Sequence, residues 1–323
     1  MSNSPFLSSC TSKTIRNAAK ALKDGHLVAF PTETVYGLGA DARNPLAVKR
    51  IYEVKGRPSD HPLILHISSI NQLEKWASEV PDYAISLARA FWPGPLTLIL
   101  KRSELVPDFI SGGQDTVGLR VPSDSVALAL ISEFEAISDS AIAAPSANRF
   151  GQVSPTSSKD VHDELGGYLS NSDLILDGGT STIGIESTIV DCTTQHPIIL
   201  RSGFVTKEDI EGILGIVGVQ VASTSVVKFS GSFEKHYAPK CRVILDSTGG
   251  ENSGFFALSE VSTPAGMTRL GSPESLEDFA RLMYATFRKA DHLGLTNLVV
   301  ITPKGSGLAL AINDRLEKAS HGR

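Results

Sequence analysis

Two cations close together in the sequence, Lys55 and Arg57, have the types and spacing of a phosphate site. A guanidinium forms two parallel hydrogen bonds to phosphate oxygens, and an ammonium beside it adds a point charge. The alternative is that they only complement the negative end of a helix, which contributes about 0.3–1 kcal/mol. Both side chains are expected to be exposed there, so that removing either one leaves the fold intact.

The stretch around these cations is predicted to end a strand, turn and begin a helix. Residues 27–30 are an apolar strand followed by a proline, which cannot donate to a continuing ladder. Asn44 is a helix cap followed by proline at the first helical position, and Gly56 ends that helix. Between strand and helix, Gly37 and Gly39 are expected to adopt conformations closed to other residues, which would let main-chain amides approach a ligand.

A second polar segment closes another apolar strand. Ala144 is followed by proline, Ser146 and Asn148, and Ser154 begins a similar turn. Proline, serine and asparagine dominate loops for backbone reasons, so each segment alone indicates only a turn. The order of the two segments along one chain is what is specific.

Together the motifs resemble the Sua5/YrdC family, the threonylcarbamoyl-AMP synthases that begin formation of N6-threonylcarbamoyladenosine in tRNA. The matching motifs are PTETVYGLG, Lys-x-Arg at Lys55 and Arg57, Ser-x-Asn at Ser146 and Asn148, FWPGPLTLIL, GLRVP, GIESTIVD and HYAP. They cover nearly the whole chain. The resemblance implies a nucleotidyltransferase that condenses L-threonine, bicarbonate or CO2, and ATP to threonylcarbamoyl-AMP and pyrophosphate.

The resemblance also implies roles for individual residues. It assigns catalysis to Lys55, Arg57, Ser146 and Asn148, threonine binding to Thr34, His66, Arg120, Ala144 and Ser187, and ATP binding to Arg57, His61, Thr116, Ser146, Ser154, Arg201 and Tyr237. His61 departs from the family, which often has asparagine at this position. Without the resemblance, Thr34 could merely satisfy backbone groups, His66 could be an ordinary half-buried histidine and Arg120 a surface ion pair.

Reaction partners follow from the same resemblance. Mg2+ is expected to enter with ATP, bound mainly by phosphate oxygens rather than by a dedicated protein site. The product would be passed to the tRNA threonylcarbamoyl transferase complex. No nucleophile elbow or His-Glu-x-x-His run is recognisable, which fits chemistry that depends on positioning and charge stabilisation.

Composition favours a small-molecule enzyme over the alternatives. The net charge of −5 makes direct tRNA binding weak or absent and disfavours a non-catalytic RNA-binding module. A carbamoyl-transfer role like that of hydrogenase-maturation proteins would need Cys-rich zinc modules, whereas the 3 cysteines are scattered. No apolar run reaches membrane-spanning length, so no membrane association is expected. A cytoplasmic protein is the default expectation.

Alternating helical and strand patterns predict an α/β fold. We expect a YrdC-like catalytic domain over residues 12–216, with a twisted mixed sheet and flanking helices, and a smaller Rossmann-like α/β domain over 241–320. Residues 217–240 have little periodicity and are predicted to be a linker that acts as a lid. The resemblance places Tyr237, near the end of this linker, over the nucleotide.

Overall fold

Helices cover both faces of one large sheet in the computed structural model, which describes residues 7–222, 237–247 and 253–322. The larger part of the chain contains β1 (Leu7–Ser9), α1 (Ser12–Lys23), β2 (Val28–Phe30), β3 (Gly37–Asp41), α2 (Pro45–Lys55), β4 (Ile64–His66), a 3-10 helix (Ile70–Gln72), α3 (Leu73–Trp76), β5 (Ala77–Glu79), α4 (Asp82–Phe91), β6 (Leu96–Arg102), α5 (Asp108–Ser111), β7 (Thr116–Arg120), α6 (Ser125–Ser138), β8 (Ile142–Ala143), α7 (Ser158–Leu165), β9 (Leu174–Asp177), β10 (Thr188–Asp191), β11 (Ile198–Arg201), α8 (Lys207–Leu214) and β12 (Gln220–Val221).

The sheet is mixed, as the short connections predicted. Its strand order is β1-β9-β2-β3-β8-β4-β7-β6-β10-β11-β12, with β5 paired to β6 outside this path. Strands β4 and β7 run parallel, as do β6 and β10, while β3, β8 and β4 alternate in direction. The prediction of a mixed sheet with flanking helices is therefore confirmed.

The apolar face of each helix explains the layering. Helices α1 and α6 pack on one face of the sheet, where Leu22 and Phe134 contact a cluster containing Phe30. Helix α2 packs on the opposite face, with Ile51 in the main core beside Leu65 of β4. Buried apolar area of this kind supplies most of the stability of such a fold.

The bounds of α2 follow from its caps. The side chain of Asn44 accepts hydrogen bonds from the first turn, and Gly56 ends the helix in the left-handed region at φ 61°. Both were predicted. The turn at Gly56 directs the chain so that Lys55 and Arg57 face the same cavity.

Strand β3 was not predicted, and the expectation for its glycines is wrong. Gly37 and Gly39 lie in this extended strand rather than in the positive-φ region. A Cβ atom on Gly39 would lie 2.8 Å from Cγ2 of Ile142 and 2.9 Å from Cε1 of Phe30. The position requires glycine because neighbouring side chains close over it, and this packing overrides the low strand propensity of glycine.

The rest of the described chain forms a second sheet. It contains β13 (Arg242–Leu245), β14 (Gly254–Phe256), β15 (Thr268–Gly271), α9 (Leu276–His292), β16 (Asn297–Val300) and α10 (Leu308–Ser320). All of its strands are parallel, in the order β13-β16-β14-β15. The expected smaller α/β unit is confirmed, although β15 was missed.

The predicted linker is described only in part, because residues 223–236 lie outside the described residues. At its start, β12 adds a short strand to the large sheet. At its end, Ala238 forms a bridge with Gln152 of the large unit. The domain bounds themselves stay predictions. No described helix is long and apolar enough to cross a membrane.

Candidate active site

A cavity between the large sheet and the loop after β8 collects most of the predicted residues. It is lined by Thr32, Thr34, Val35, Tyr36, Gly37, Lys55, Arg57, Ile64, His66, Arg120, Ala144, Pro145, Ser146, Asn148, Phe150, Glu186, Ser187, Arg201 and Tyr237. Of the residues singled out from the sequence, His61, Thr116 and Ser154 do not line it. The lining includes side chains from distant parts of the sequence, so the fold assembles this site.

Lys55 is buried, which corrects the expectation of an exposed cation at the helix end. Only 2% of the residue is exposed, and its Nζ donates to the carbonyls of Ser146 and Asn148 at 2.5 and 2.6 Å. Burial lowers the pKa of Lys55 well below its ordinary value of 10.5, and the neighbouring Arg57 lowers it further. Lys55 therefore fastens the loop after β8 to the end of α2.

Arg57 lies just beyond the left-handed Gly56, and its Nη2 donates to the carbonyl of Pro62 at 3.1 Å. Burial lowers its pKa to about 10, so the guanidinium remains charged at neutral pH. The ring of His61 packs nearby against Phe150, with centroids 5.7 Å apart. His61 lies behind the cavity wall, and its role as an ATP ligand stays a prediction.

Thr34, His66 and Arg120 meet because β4 and β7 run parallel with His66 and Arg120 as register partners. Arg120 Nη2 donates to Oε1 of Glu33 at 2.7 Å and to Oγ1 of Thr34 at 2.9 Å. Both members of the Arg120–Glu33 pair have side chains only 6% exposed. The pair is thus a buried anchor rather than the surface ion pair considered from sequence.

His66 stays neutral across the physiological pH range. Burial, followed by the charge of Arg120, lowers its pKa to about 3. Its ring meets Phe30 edge to face, with centroids 5.8 Å apart. A neutral imidazole offers hydrogen bonds to a ligand but does not act as a general base near pH 7.

The loop after β8 is held to β3 as well as to Lys55. Gly37 forms an antiparallel bridge with Ser146, and the amide of Ala147 donates to the carbonyl of Tyr36 at 2.8 Å. The Nδ2 of Asn148 donates to two loop carbonyls, while its buried Oδ1 has no donor among the described residues. A buried acceptor of this kind is available to a donor on a ligand.

Ser187 and Arg201 come together through the antiparallel pairing of β10 with β11. Arg201 donates to the carbonyl of Ser187 through Nε at 3.0 Å and to its hydroxyl through Nη2 at 3.1 Å. The Ser187 hydroxyl also bonds Thr97 at 2.8 Å. Burial lowers the pKa of Arg201, which brings another guanidinium to the cavity wall.

Tyr237 lines the cavity but does not lie on an open lid. It is 1% exposed, its φ of 62° is in the left-handed region, and its ring stacks on Tyr284 of α9 at 5.7 Å. The adjacent Ala238 amide donates to the carbonyl of Gly151. This end of the predicted lid is therefore packed between the two units, which differs from the mobile segment expected.

Glu186 is a cavity residue that the sequence analysis missed. Its Oε1 accepts from the hydroxyl of Ser154 at 2.6 Å, and its Oε2 accepts from Nε of Arg315 at 3.2 Å. Ser154 thus supports the wall from behind. A carboxylate between Ile185 and the apolar strand β10 was a usable signal, since charged residues are rarely buried without a partner.

Thr116 lies at the start of β7, whereas Arg120 at its end lines the cavity. A strand of this length separates the two by roughly 13 Å, at about 3.3 Å per residue. Thr116 faces Lys101 of β6 in the sheet instead. The structure does not bring it to the other predicted ligands, and its contact with ATP stays a prediction.

The chemistry of the cavity is that of an anion site. Its lining cations are Lys55, Arg57, Arg120 and Arg201, against the carboxylate of Glu186. Among the described residues, no group of His, Cys, Asp or Glu is arranged to hold a metal ion. The arrangement can bind and orient two anionic reactants and stabilise charge that develops between them.

Comparison with known proteins gives two family matches. The model Sua5_yciO_yrdC, described as telomere recombination, matches residues 20–203. The model Sua5_C, described as the C-terminal domain of threonylcarbamoyl-AMP synthase, matches residues 205–321.

Individual relatives match over nearly their whole length. The threonylcarbamoyl-AMP synthase of Pyrococcus abyssi is 42% identical over 95% of this chain and 94% of its own, and that of Bacillus subtilis is 38% identical over 96% and 93%. A crystal structure of P. abyssi Sua5 complexed with L-threonine aligns with a TM-score of 0.87 and 39% identity, covering 98% of each chain.

The buried Arg120–Glu33 pair generates a stability prediction. Glu33→Gln should lower the free energy of unfolding by about 3 kcal/mol, because it leaves a buried guanidinium without its carboxylate. Urea denaturation measures this change. Glu79→Gln is the matched control, since Glu79 forms an exposed pair with Lys101 and should change stability by about 0–1 kcal/mol. Equal effects in the two variants would contradict the prediction.

His66 generates a pH prediction. Its pKa is about 3 in the folded chain against an ordinary 6.5, so as pH falls below 6.5 the unfolded state gains a proton that the folded state does not. Stability should therefore fall on acidification, with this group contributing about 2 kcal/mol of loss at pH 5 relative to pH 8. His66→Gln should remove this part of the slope in urea titrations, whereas the same change at the exposed His196 should not. An unchanged slope in His66→Gln would show that the group titrates normally.

Proposed function

The chain belongs to the Sua5/YciO/YrdC family, and we propose that it makes threonylcarbamoyl-AMP and pyrophosphate from L-threonine, bicarbonate or CO2, and ATP. The reaction is a nucleotidyl transfer. The amine of threonine loses a proton and bonds to the carbon of CO2, or to that of bicarbonate with loss of water, to form a carbamate. A carbamate oxygen then attacks the α-phosphorus as pyrophosphate leaves. One observation carries the proposal. A single cavity places groups suited to an amino acid beside cations suited to phosphates.

Threonine fits the part of the cavity formed by Thr34, His66 and Arg120. Among the described residues, none accepts from Nη1 of Arg120, whose Nη2 is held by Glu33 and Thr34. Nη1 can therefore donate to a carboxylate while Glu33 and Thr34 hold the rest of the guanidinium in place. The threonine-bound P. abyssi relative supports this choice of amino acid. We assign Ala144 and Ser187 to the same half, by main chain and hydroxyl.

Neither His66 nor Glu186 is tuned to remove a proton from the threonine amine, and the Nζ of Lys55 is engaged by the carbonyls of Ser146 and Asn148. His66 has a pKa of about 3, and Arg315 and Arg201 outweigh burial to hold the pKa of Glu186 below its ordinary value. We therefore infer that bicarbonate or solvent takes up the proton that the threonine amine loses. The residues act by holding the amine and the carbon source together, which raises their effective concentration.

ATP fits the half of the cavity formed by Arg57, Ser146, Asn148 and Arg201. The guanidinium groups would bind phosphate oxygens and stabilise the charge that moves onto pyrophosphate. The hydroxyl of Ser146 and the buried Oδ1 of Asn148 add directional contacts. Burial lowers the pKa of Lys55, and bound anionic reactants would act in the opposite direction by favouring its charged form.

Mg2+ would enter with ATP, where it neutralises phosphate charge. Glu186, the lining carboxylate, already accepts from Ser154, Tyr284 and Arg315. The described residues thus fit a metal held mainly by phosphate oxygens and water. We further propose that the product is consumed by a complex that transfers the threonylcarbamoyl group to tRNA.

Pyrophosphate release measured with and without threonine tests the function. Release should require ATP, bicarbonate and threonine together, and the adenylate should be recovered by chromatography. Arg57→Ala should lower the rate by about 100- to 1,000-fold, as loss of one charge-stabilising donor does. Arg43→Ala, on a side chain 44% exposed and outside the cavity, is the control. Threonine-independent release, or a near-normal rate in Arg57→Ala, would reject the proposed chemistry.

Calorimetry tests whether Mg2+ is bound by ATP or by the protein itself. Mg2+ titrated into nucleotide-free protein should give no stoichiometric binding, whereas activity should require Mg2+ in proportion to ATP. Chelation should abolish activity without changing the circular dichroism spectrum. Tight binding to the nucleotide-free protein would instead reveal a protein metal site.

A further inference from the structure

Glu186 is an anion on the wall of a cavity whose other charged lining residues are cations. Only 6% of the residue is exposed, and its carboxylate accepts from Ser154 at 2.6 Å and from the hydroxyl of Tyr284 at 3.0 Å. Neither of these partners carries a positive charge. A charge buried in this way needs a compensating cation.

Arg315 of α10 supplies that cation from the C-terminal unit. It is 0% exposed, and its Nε lies 3.2 Å from Oε2 of Glu186. Its Nη1 donates to Asp314 at 2.7 Å, and its guanidinium carbon lies 5.6 Å from the centre of the Tyr237 ring. Burying an arginine is costly, and such pairs are weak evidence for a purely stabilising role.

Polar and charged groups face Glu186 from several elements of the described chain. Arg201 faces it from β11, Ser154 from the loop after β8, Tyr237 from the segment before β13, Tyr284 from α9, and Arg315 beside Asp314 from α10. Burial alone would raise the pKa of Glu186, but Arg315 first and Arg201 second hold it below its ordinary value. The carboxylate is therefore ionised at neutral pH.

An ionised carboxylate at this position acts against polyphosphate in two ways. It repels the phosphates directly, and it attracts Arg201, a cavity cation that interacts with it electrostatically. Both effects are strong because Glu186 and Arg201 are buried, where the effective dielectric constant is low. A cation on the far side of Glu186 reduces both without entering the cavity, and Arg315 does not line the cavity.

We propose that Arg315 is a positioning residue for the nucleotide half of the site, which neutralises Glu186 and keeps Arg201 directed at the phosphates. The C-terminal unit thereby sets the affinity for ATP. The inference rests on the proposed function, since it requires ATP to occupy this cavity.

Two charge-removing substitutions, made singly and together on the full chain, test the inference. Arg315→Met should raise the KM for ATP by about tenfold or more, the effect expected of a close uncompensated charge, with kcat changed much less. Arg315→Met combined with Glu186→Gln should bring the KM for ATP back toward the wild-type value. The KM for threonine should change less than the KM for ATP in either variant, because the threonine carboxylate is assigned to Arg120, which Glu33 and Thr34 hold.

Controls separate positioning from stability. Arg288→Met removes another guanidinium that joins α9 to the large unit, where it donates to Glu164 at 3.1 Å and to the carbonyl of Val153 at 2.5 Å. This variant should lose stability in urea without a rise in the KM for ATP. Arg315→Lys retains the charge and should keep a KM for ATP well below that of Arg315→Met. If Arg315→Met does not fold, the double variant and Arg315→Lys still carry the test.

The inference is overturned if Arg315→Met lowers only kcat or the folded fraction, with a wild-type KM for ATP. It is also overturned if adding Glu186→Gln leaves the KM for ATP as high as in Arg315→Met alone. The same holds if the KM for ATP of Arg315→Lys is as high as that of Arg315→Met. Failure of the proposed function can be told apart from failure of this inference, because the wild-type chain would then show no threonine-dependent pyrophosphate release.

Discussion

Lys55 joins three separate parts of the fold through two hydrogen bonds to backbone carbonyls. It ends α2, it holds the loop that carries Ser146 and Asn148, and that loop is bridged in turn to β3 at Gly37. The shape of the cavity therefore depends on an ammonium that burial disfavours in its charged form. Under the proposed function, anionic reactants would favour the same charge, so that substrate binding and loop position would support each other.

The remaining cations are held by a common arrangement. Arg120 is fixed by Glu33, and Arg201 lies near a carboxylate, Glu186, that is itself paired with Arg315. Each carboxylate orients or balances a guanidinium while leaving the cavity positive. The two cases differ in origin, because Glu33 comes from the large unit that forms the cavity, whereas Arg315 comes from the C-terminal unit.

Sequence reasoning predicted local features well, but it did not predict which distant residues contact each other. The caps of α2 at Asn44 and Gly56 follow from residue type alone, and the family motifs indicated most of the cavity lining. The burial of Lys55 and the pairing of Glu186 with Arg315 could not be predicted, because their partners lie 91 and 129 residues away. Strand β3 was missed for a similar reason: its glycines pack under Phe30, a contact that propensity does not encode.

The separation of Glu186 from Arg315 also has a consequence during synthesis. The arginine follows the carboxylate by 129 residues, so a ribosome adding about 5–20 residues per second makes it roughly 6–26 s later. In that interval Glu186 is present without Tyr284 and Arg315, the two C-terminal side chains that contact it in the finished chain. A nascent chain thus differs from the finished protein at this position, because Glu186 has Arg201 near it but lacks its paired guanidinium until α10 has been made.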